Sequence, residues 1–239
     1  LLPHVRTYEF ASNKEDAIDV ILKSEFAYKK GTEVSYSCLG YILLGKLLEI
    51  ATGESLDVLA KKMVFDPLEM NNTIYCPTSK NCATTEYSQT LGRYLCGEVH
   101  DENARFLDGI AGNAGVFSTI DDMIKFATML SNKGLYQGKP YLSSRTFETA
   151  TKNFTRQFST SRGLGFLLKD SRIFPAGELF SDDSYGHTGF TGTSVFVDEK
   201  TGLYGILLSN SVHFGRATED IFRTRRLFYN SVIAEFVNR

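Results

Sequence analysis

The sequence predicts an α+β fold in which a mainly helical first part is followed by an antiparallel sheet and a long C-terminal helix. Three observations predict it. Apolar residues recur at helical spacing in the first part, short apolar runs bounded by turn residues replace that spacing from Leu164 onward, and the chain closes on a helical apolar stripe. With 42% hydrophobic residues and 5 prolines in 239 residues, the chain has the composition of a folded globular protein with a large core. The helical region is expected over residues 1–160 and the sheet with its covering helix over residues 161–239.

Residues 13–24 place Ala17, Ile18, Ile21 and Leu22 at helical spacing, and residues 39–52 do the same with Ile42, Leu43, Leu47 and Ile50 before Gly53 stops the helix. Ser55 is expected to cap a further amphipathic run that ends near Pro67. Residues 75–111 then lose periodicity in a polar, turn-rich stretch too long for a mere connector, which marks a functional loop region or a packed irregular segment. Ser118 stands as a hydroxyl cap ahead of Asp121 and Asp122, with Ile120, Met123, Ile124, Ala127 and Leu130 on one face and Gly134 beyond the end. Ser143 is placed to cap a shorter helix. Residues 163–168, 192–197 and 203–208 read as strands, the last two joined by a five-residue turn over residues 198–202. A final helix over residues 218–237 carries Ile221, Phe222, Phe228, Val232, Ile233 and Phe236 as its stripe.

Charge narrows the function classes. The 26 basic and 28 acidic residues give a net charge of −2, and no basic run is long enough to follow a phosphate backbone, so nucleic acid is not an expected partner. Lys29 with Lys30, Lys61 with Lys62, and the group Arg223, Arg225 and Arg226 read as solvated helix faces. No stretch approaches the roughly 18 uninterrupted apolar residues of a membrane span. Cys38, Cys76, Cys82 and Cys96 form no CxxC pair and His100 lacks a second histidine nearby, so neither a metal nor another cofactor is expected. Cys76 and Cys82 are spaced to close a loop disulfide in an oxidising compartment, with buried thiols as the other reading. The glycine-rich residues 109–115 lack the Lys-Ser/Thr ending of a phosphate-binding loop and read as a loop packed at the edge of a site. His100 reads as a loop hydrogen-bonder.

Three segments stand out in order: YSCLGYILLG at residues 36–45, GIAGNAGVFST at residues 109–119, and HTG at residues 187–189. Together with the strands, hairpin and final helix, this series resembles the penicillin-binding protein and class C β-lactamase-like serine hydrolases, a family that includes esterases and D-aminopeptidases. In that family a Tyr-x-Asn precedes a GxLLG helix, a glycine-rich loop precedes a Ser-Thr-x-x-Asp helix start, and Lys-Thr-Gly or His-Thr-Gly opens an inner strand. The resemblance runs from Tyr36 to the terminal helix.

Acyl transfer by serine needs a nucleophile, a base for its proton and donors for the oxyanion. The resemblance implies that Tyr36 is the catalytic base or proton shuttle; a phenol with an ordinary pKa near 10 needs neighbouring positive charge for that task. Cys38 stands where relatives carry asparagine, and a thiol is a weak partner for a substrate amide. His187, also a catalytic candidate, replaces the lysine of many relatives. A mostly neutral imidazole holds anionic substrates less firmly unless an arginine compensates, so His187→Lys is expected to raise acylation by carboxylate-bearing β-lactams. Thr188 is implied to bind substrate through its hydroxyl, Gly189 to bind substrate by letting the strand approach closely, and Phe190 to offer its backbone N–H to the oxyanion.

The family's nucleophile lies in Ser-x-x-Lys, and no serine in this sequence has lysine three positions on. No Gly-x-Ser-x-Gly elbow substitutes for it. The resemblance therefore implies that the serine and its lysine belong to an N-terminal segment before residue 1, and that this chain alone is inactive. The intact protein is expected to be a serine hydrolase acting on β-lactams, peptidoglycan-like peptides or esters, located outside the cytoplasm or at the cell surface. Membrane association, if any, would come through that N-terminal segment. The alternative is a non-catalytic relative that keeps the fold as a binding or sensor protein.

Overall fold

The computed structural model describes residues 5–78, 81–169, 174–216 and 219–237. The chain divides into two compact units, Leu1–Thr119 and Ile120–Arg239, earlier than the boundary expected at 160/161.

In the first unit, α1 (Lys14–Lys23) is capped by Asn13, whose side chain accepts from Asp16 N. Helix α2 (Cys38–Thr52) is capped by Ser37, which accepts from Gly40 N at 3.1 Å, and it stops at Gly53 in a left-handed conformation. Ser55 makes no side-chain cap to α3 (Leu56–Ala60), contrary to expectation. Glu49 of α2 takes that place, its Oε1 accepting from Leu56 N at 3.1 Å. A π-helical turn, Lys61–Phe65, extends α3.

The stretch expected to be irregular is a packed segment. It holds β1 (Ile74–Tyr75), the hairpin β2 (Tyr87–Ser88) and β3 (Arg93–Tyr94), α4 (Glu102–Phe106) and β4 (Val116–Phe117), which returns to pair antiparallel with β1. Asp101 caps α4 by accepting from Ala104 N. Asn103, 1% exposed, accepts from Thr7 N at 2.9 Å and Thr7 Oγ1 at 2.8 Å and donates to Val5 O at 2.8 Å, tying the start of the chain to α4. The core gathers Ala17, Ile21, Leu39, Ile42, Val99 and Leu107 from α1, α2 and this segment.

The second unit opens with α5 (Ile120–Ser131), the short hairpin β5 (Leu135–Tyr136) and β6 (Lys139–Pro140), and α6 (Ser144–Thr151), capped by Ser143. Next comes an antiparallel sheet in the order β10-β9-β8-β7, built from β7 (Leu167–Leu168), β8 (Tyr185–Thr188), β9 (Ser194–Val197) and β10 (Tyr204–Leu207). The β9–β10 turn is the expected one, closed by Asp198 N to Leu203 O and Gly202 N to Asp198 O. The final helix is α7 (Glu219–Val237).

Alternation along the strands assigns the two faces. Tyr185, Val197 and Tyr204 share one face, on which Tyr185 OH donates to Leu130 O of α5 and stacks edge-on with Phe147 of α6. Gly186, Phe196 and Gly205 share the other, beneath Tyr229 and Ile233 of α7, with Phe174 and Phe180 completing the core. Phe236, placed in the stripe by periodicity, is exposed; the buried ladder is Ile221, Arg225, Tyr229 and Ile233. Arg225 thus corrects the expectation of a solvated basic face. His187 and Thr188 end the inner strand β8 rather than open it, because the chain turns at Gly189, whose N–H donates to Thr193 O at 2.7 Å.

Candidate active site

The expected site residues fall into two groups, one in each unit. In the first, Tyr36 and Ser37 lead into α2 and Cys38 is its first residue, so the helix start fixes all three. Tyr36 is half-exposed, its ring 6.3 Å from that of Tyr41, and its side chain lies close enough to the Cys38 thiol to favour the thiolate slightly. Asn113, from the glycine-rich loop, acts on the same thiol in the same direction. Partial burial, and next the Asp101 carboxylate, push the Cys38 thiol above its ordinary range, which disfavours the thiolate and any nucleophilic role.

The glycine-rich loop reaches Cys38 because it lies directly against α2. A Cβ on Gly112 would fall 2.1 Å from Tyr41 O, and one on Gly45 would fall 3.1 Å from Gly112 N. Backbone meets backbone there, and that approach seats Asn113 beside the thiol. His100 is a loop hydrogen-bonder as expected: its Nε2 lies 2.9 Å from Glu86 Oε2, and Arg105 holds the backbone at Val99 O and His100 O.

In the second group, β8 delivers His187 and Thr188 and the turn delivers Gly189 and Phe190. Arg162 Nη1 lies 3.2 Å from His187 Nε2, and His187 Nδ1 lies 2.9 Å from Thr188 O. A guanidinium only donates, so Nε2 is the acceptor and the proton sits on Nδ1, bonded to Thr188 O. Burial first, and then the Arg162 charge, lower the His187 pKa below its ordinary value, so the ring is neutral at pH 7.

The turn after His187 is held from beneath. Buried Arg225 of α7 donates through Nη2 to Gly189 O at 2.7 Å and Thr193 O at 2.9 Å. Gly192 sits at φ +120° with a missing Cβ that would fall 2.7 Å from Ser209 Oγ and 2.9 Å from Ser211 N. Ser209 Oγ donates to Gly192 O and Ser211 N to Thr191 O, so the following loop braces the same turn. This arrangement fixes the backbone on both sides of Phe190, whose side chain is exposed.

A sequence profile of the family described as Beta-lactamase matches residues 2–228. The chain belongs to the beta-lactamase family. This beta-lactamase-family chain is 31% identical over 221 residues to the N-acetylmuramyl-L-alanine amidase of Bacillus subtilis (strain 168), covering 85% of itself and 50% of that protein. It is 28% identical over 226 residues to an Escherichia coli (strain K12) protein named provisionally as a D-alanyl-D-alanine carboxypeptidase, covering 85% and 51%. It therefore spans about half the length of these curated relatives. Among solved structures, a β-lactamase from Mycobacterium bovis superposes with a TM-score of 0.65 at 20% identity, over 88% of this chain and 67% of that one. A penicillin-binding protein homologue from Caulobacter crescentus superposes at 0.64 and 16%, over 90% and 64%. The fold of this beta-lactamase-family chain is accordingly the β-lactamase and penicillin-binding α+β fold.

Arg162, Arg225 and Asn113 escaped the sequence reading. Arg225 had a legible signal, since it lies four residues from Ile221 and from Tyr229 on one helical stripe. Arg162 had none, because its contact comes from a loop distant in sequence from His187, and for Asn113 the only signal is the placement of residues 109–115 at the edge of a site.

Proposed function

We propose that the protein is a serine-dependent acyl hydrolase of the penicillin-binding and β-lactamase type, acting on peptidoglycan-like peptides, β-lactams or esters, outside the cytoplasm. The observation that carries this reading is the end of β8, where His187, Thr188 and Gly189 lead into a turn fixed by the buried Arg225. A preorganised backbone N–H is what an oxyanion needs, and Phe190 offers one from this turn. The names of the amidase and carboxypeptidase relatives support the same class.

In this reading a serine Oγ attacks the substrate carbonyl carbon while Tyr36 takes or relays its proton. The oxyanion accepts from Phe190 N–H, and the tetrahedral intermediate collapses as the amine or alcohol leaves with that proton. Water then repeats the sequence on the acyl-enzyme and frees the acid. No Ser-x-x-Lys occurs in these 239 residues, so this reading takes the serine and its lysine from outside them. Thr188 binds the substrate by its hydroxyl, and Cys38 weakens amide recognition relative to an asparagine.

The charge that a lysine would bring at position 187 comes instead from Arg162. Its guanidinium lies against the neutral His187 ring, which orients it. This revises the expectation for His187→Lys: a second cation beside Arg162 meets like-charge repulsion, and the gain in acylation disappears.

Intact mass of the full-length protein after exposure to a penicillin and to a p-nitrophenyl ester tests the proposal. A covalent acyl adduct on a serine upstream of residue 1 is the expected result. No adduct with either reagent, from folded protein, overturns it in favour of a non-catalytic binding or sensor protein.

A further inference from the structure

The segment between β1 and α4 carries three cysteines, and their surroundings separate them. Cys76 donates from Sγ to Asp108 O at 3.1 Å, which commits it to the turn after α4. Cys82 and Cys96 instead flank the β2–β3 hairpin. Thr85 N donates to Leu95 O at 2.8 Å and Leu95 N to Glu86 O at 3.0 Å, extending the paired strands toward both cysteines. Beyond the last of these bonds, Cys96 Sγ donates to Cys82 O at 3.3 Å.

That oxygen is two covalent bonds from the Cys82 Cα. The Cys96 sulfur therefore already lies against the backbone that carries the Cys82 side chain. Both side chains are partly exposed, so a small oxidant has access to them. Partial burial, and then Cys96 itself, raise the Cys82 pKa, in keeping with that proximity.

We propose that Cys82 and Cys96 are a disulfide-forming pair, oxidised by a low-molecular-weight disulfide of the glutathione type. One protein thiolate attacks the small disulfide, forming a mixed disulfide and releasing one small thiolate. The second protein thiolate then attacks the protein sulfur of that mixed disulfide and releases the other. The protein loses two electrons and two protons, the small disulfide becomes two thiols, and the product is a cross-link that closes the hairpin. The proposal replaces the Cys76–Cys82 pairing suggested by spacing and does not depend on the acyl-transfer reading.

Trypsin separates the three cysteines, because cleavage after Lys62, Lys80, Arg93 and Arg105 places them in peptides 63–80, 81–93 and 94–105. Full-length protein, incubated with oxidised glutathione, blocked with an alkylating agent and digested without reductant, is expected to yield 81–93 joined to 94–105. The intact protein should lose two hydrogens and gain about 5 °C in Tm, a gain retained in Cys76→Ser and absent in Cys82→Ser and Cys96→Ser. Peptide 63–80 joined to 81–93 overturns the proposal. So does stable glutathionylation or alkylation of Cys82 and Cys96 with no 81–93 to 94–105 link.

Discussion

At the scale of single residues, the proposed function gives the arginine beside His187 the task of sorting substrates. On that proposal a carboxylate-bearing substrate would gain a charge-assisted bond from Arg162, worth about 1.5–3 kcal/mol in general and toward the lower figure at a partly open site. Arg162→Ala in the full-length enzyme is therefore expected to raise KM for carboxylate-bearing β-lactams about tenfold and to leave KM for an uncharged ester nearly unchanged. Equal losses on both would remove Arg162 from carboxylate recognition. His187 makes a separate prediction about pH. Its folded pKa lies below its ordinary value of 6.5, so as pH falls through that value the unfolded chain binds the proton first and folding stability declines. Above about pH 7 the residue contributes no slope. Tm of the wild type should drop more between pH 7 and 5.5 than that of His187→Gln, and parallel curves would refute the assignment. Local patterns revealed the His-Thr-Gly run and Tyr36, whereas the charge partner of His187, 25 residues earlier in a loop, became visible only in three dimensions.

At the scale of elements, α7 does more than cover the sheet. Tyr229 OH donates to Ser194 Oγ at 3.0 Å and reaches Gly205 O at 3.3 Å, locking the helix to β9 and β10, and one turn earlier Arg225 grips the turn after β8. Helix register therefore sets the position of the Phe190 N–H. Arg225→Met keeps much of the side-chain volume but removes the charged Nη2 that donates to both Gly189 O and Thr193 O. A stability loss of about 2 kcal/mol is expected, together with a kcat loss for every acyl substrate. Arg225→Lys should recover part of the stability and little of kcat, since an ammonium reproduces the charge but not the planar fork. Full kcat in Arg225→Met would show that the turn holds without its clamp. Periodicity located α1, α2, α5 and α7, although Leu22, Leu47, Ile50, Ile120, Ile124 and Phe236, which it counts on their stripes, are exposed. The two-residue strands around residues 74–94 and 116–117 were not legible, since so short a strand has no period to read. β8 was hidden for another reason: Gly186, His187 and Thr188 are small or polar, and the strand is defined by its neighbours on both sides.

At the scale of the whole molecule, the division between Thr119 and Ile120 follows from what each sheet face needs. The expected boundary at 160/161 grouped helices with helices, but α5 and α6 belong to the sheet. Tyr185 gives its hydroxyl to Leu130 O, Tyr204 OH lies 3.0 Å from Thr128 Oγ1, Ser131 Oγ donates to Gly202 O, and the Phe147 ring meets Tyr185 at 5.7 Å. A fragment beginning at residue 161 keeps the face under α7 and loses everything on the other. Buried tyrosine hydroxyls would lose their partners, and the apolar bodies of Tyr185 and Val197 would meet water at a cost of several kcal/mol, comparable to the whole stability of a small domain. A fragment of residues 120–239 retains both layers and its own core. It is expected to melt cooperatively by circular dichroism and to resist limited proteolysis, while residues 161–239 bind a hydrophobic dye and show no cooperative transition. Two fragments that melt alike would mean that α7 alone suffices to hold the sheet, and the division would then have to be drawn nearer residue 160.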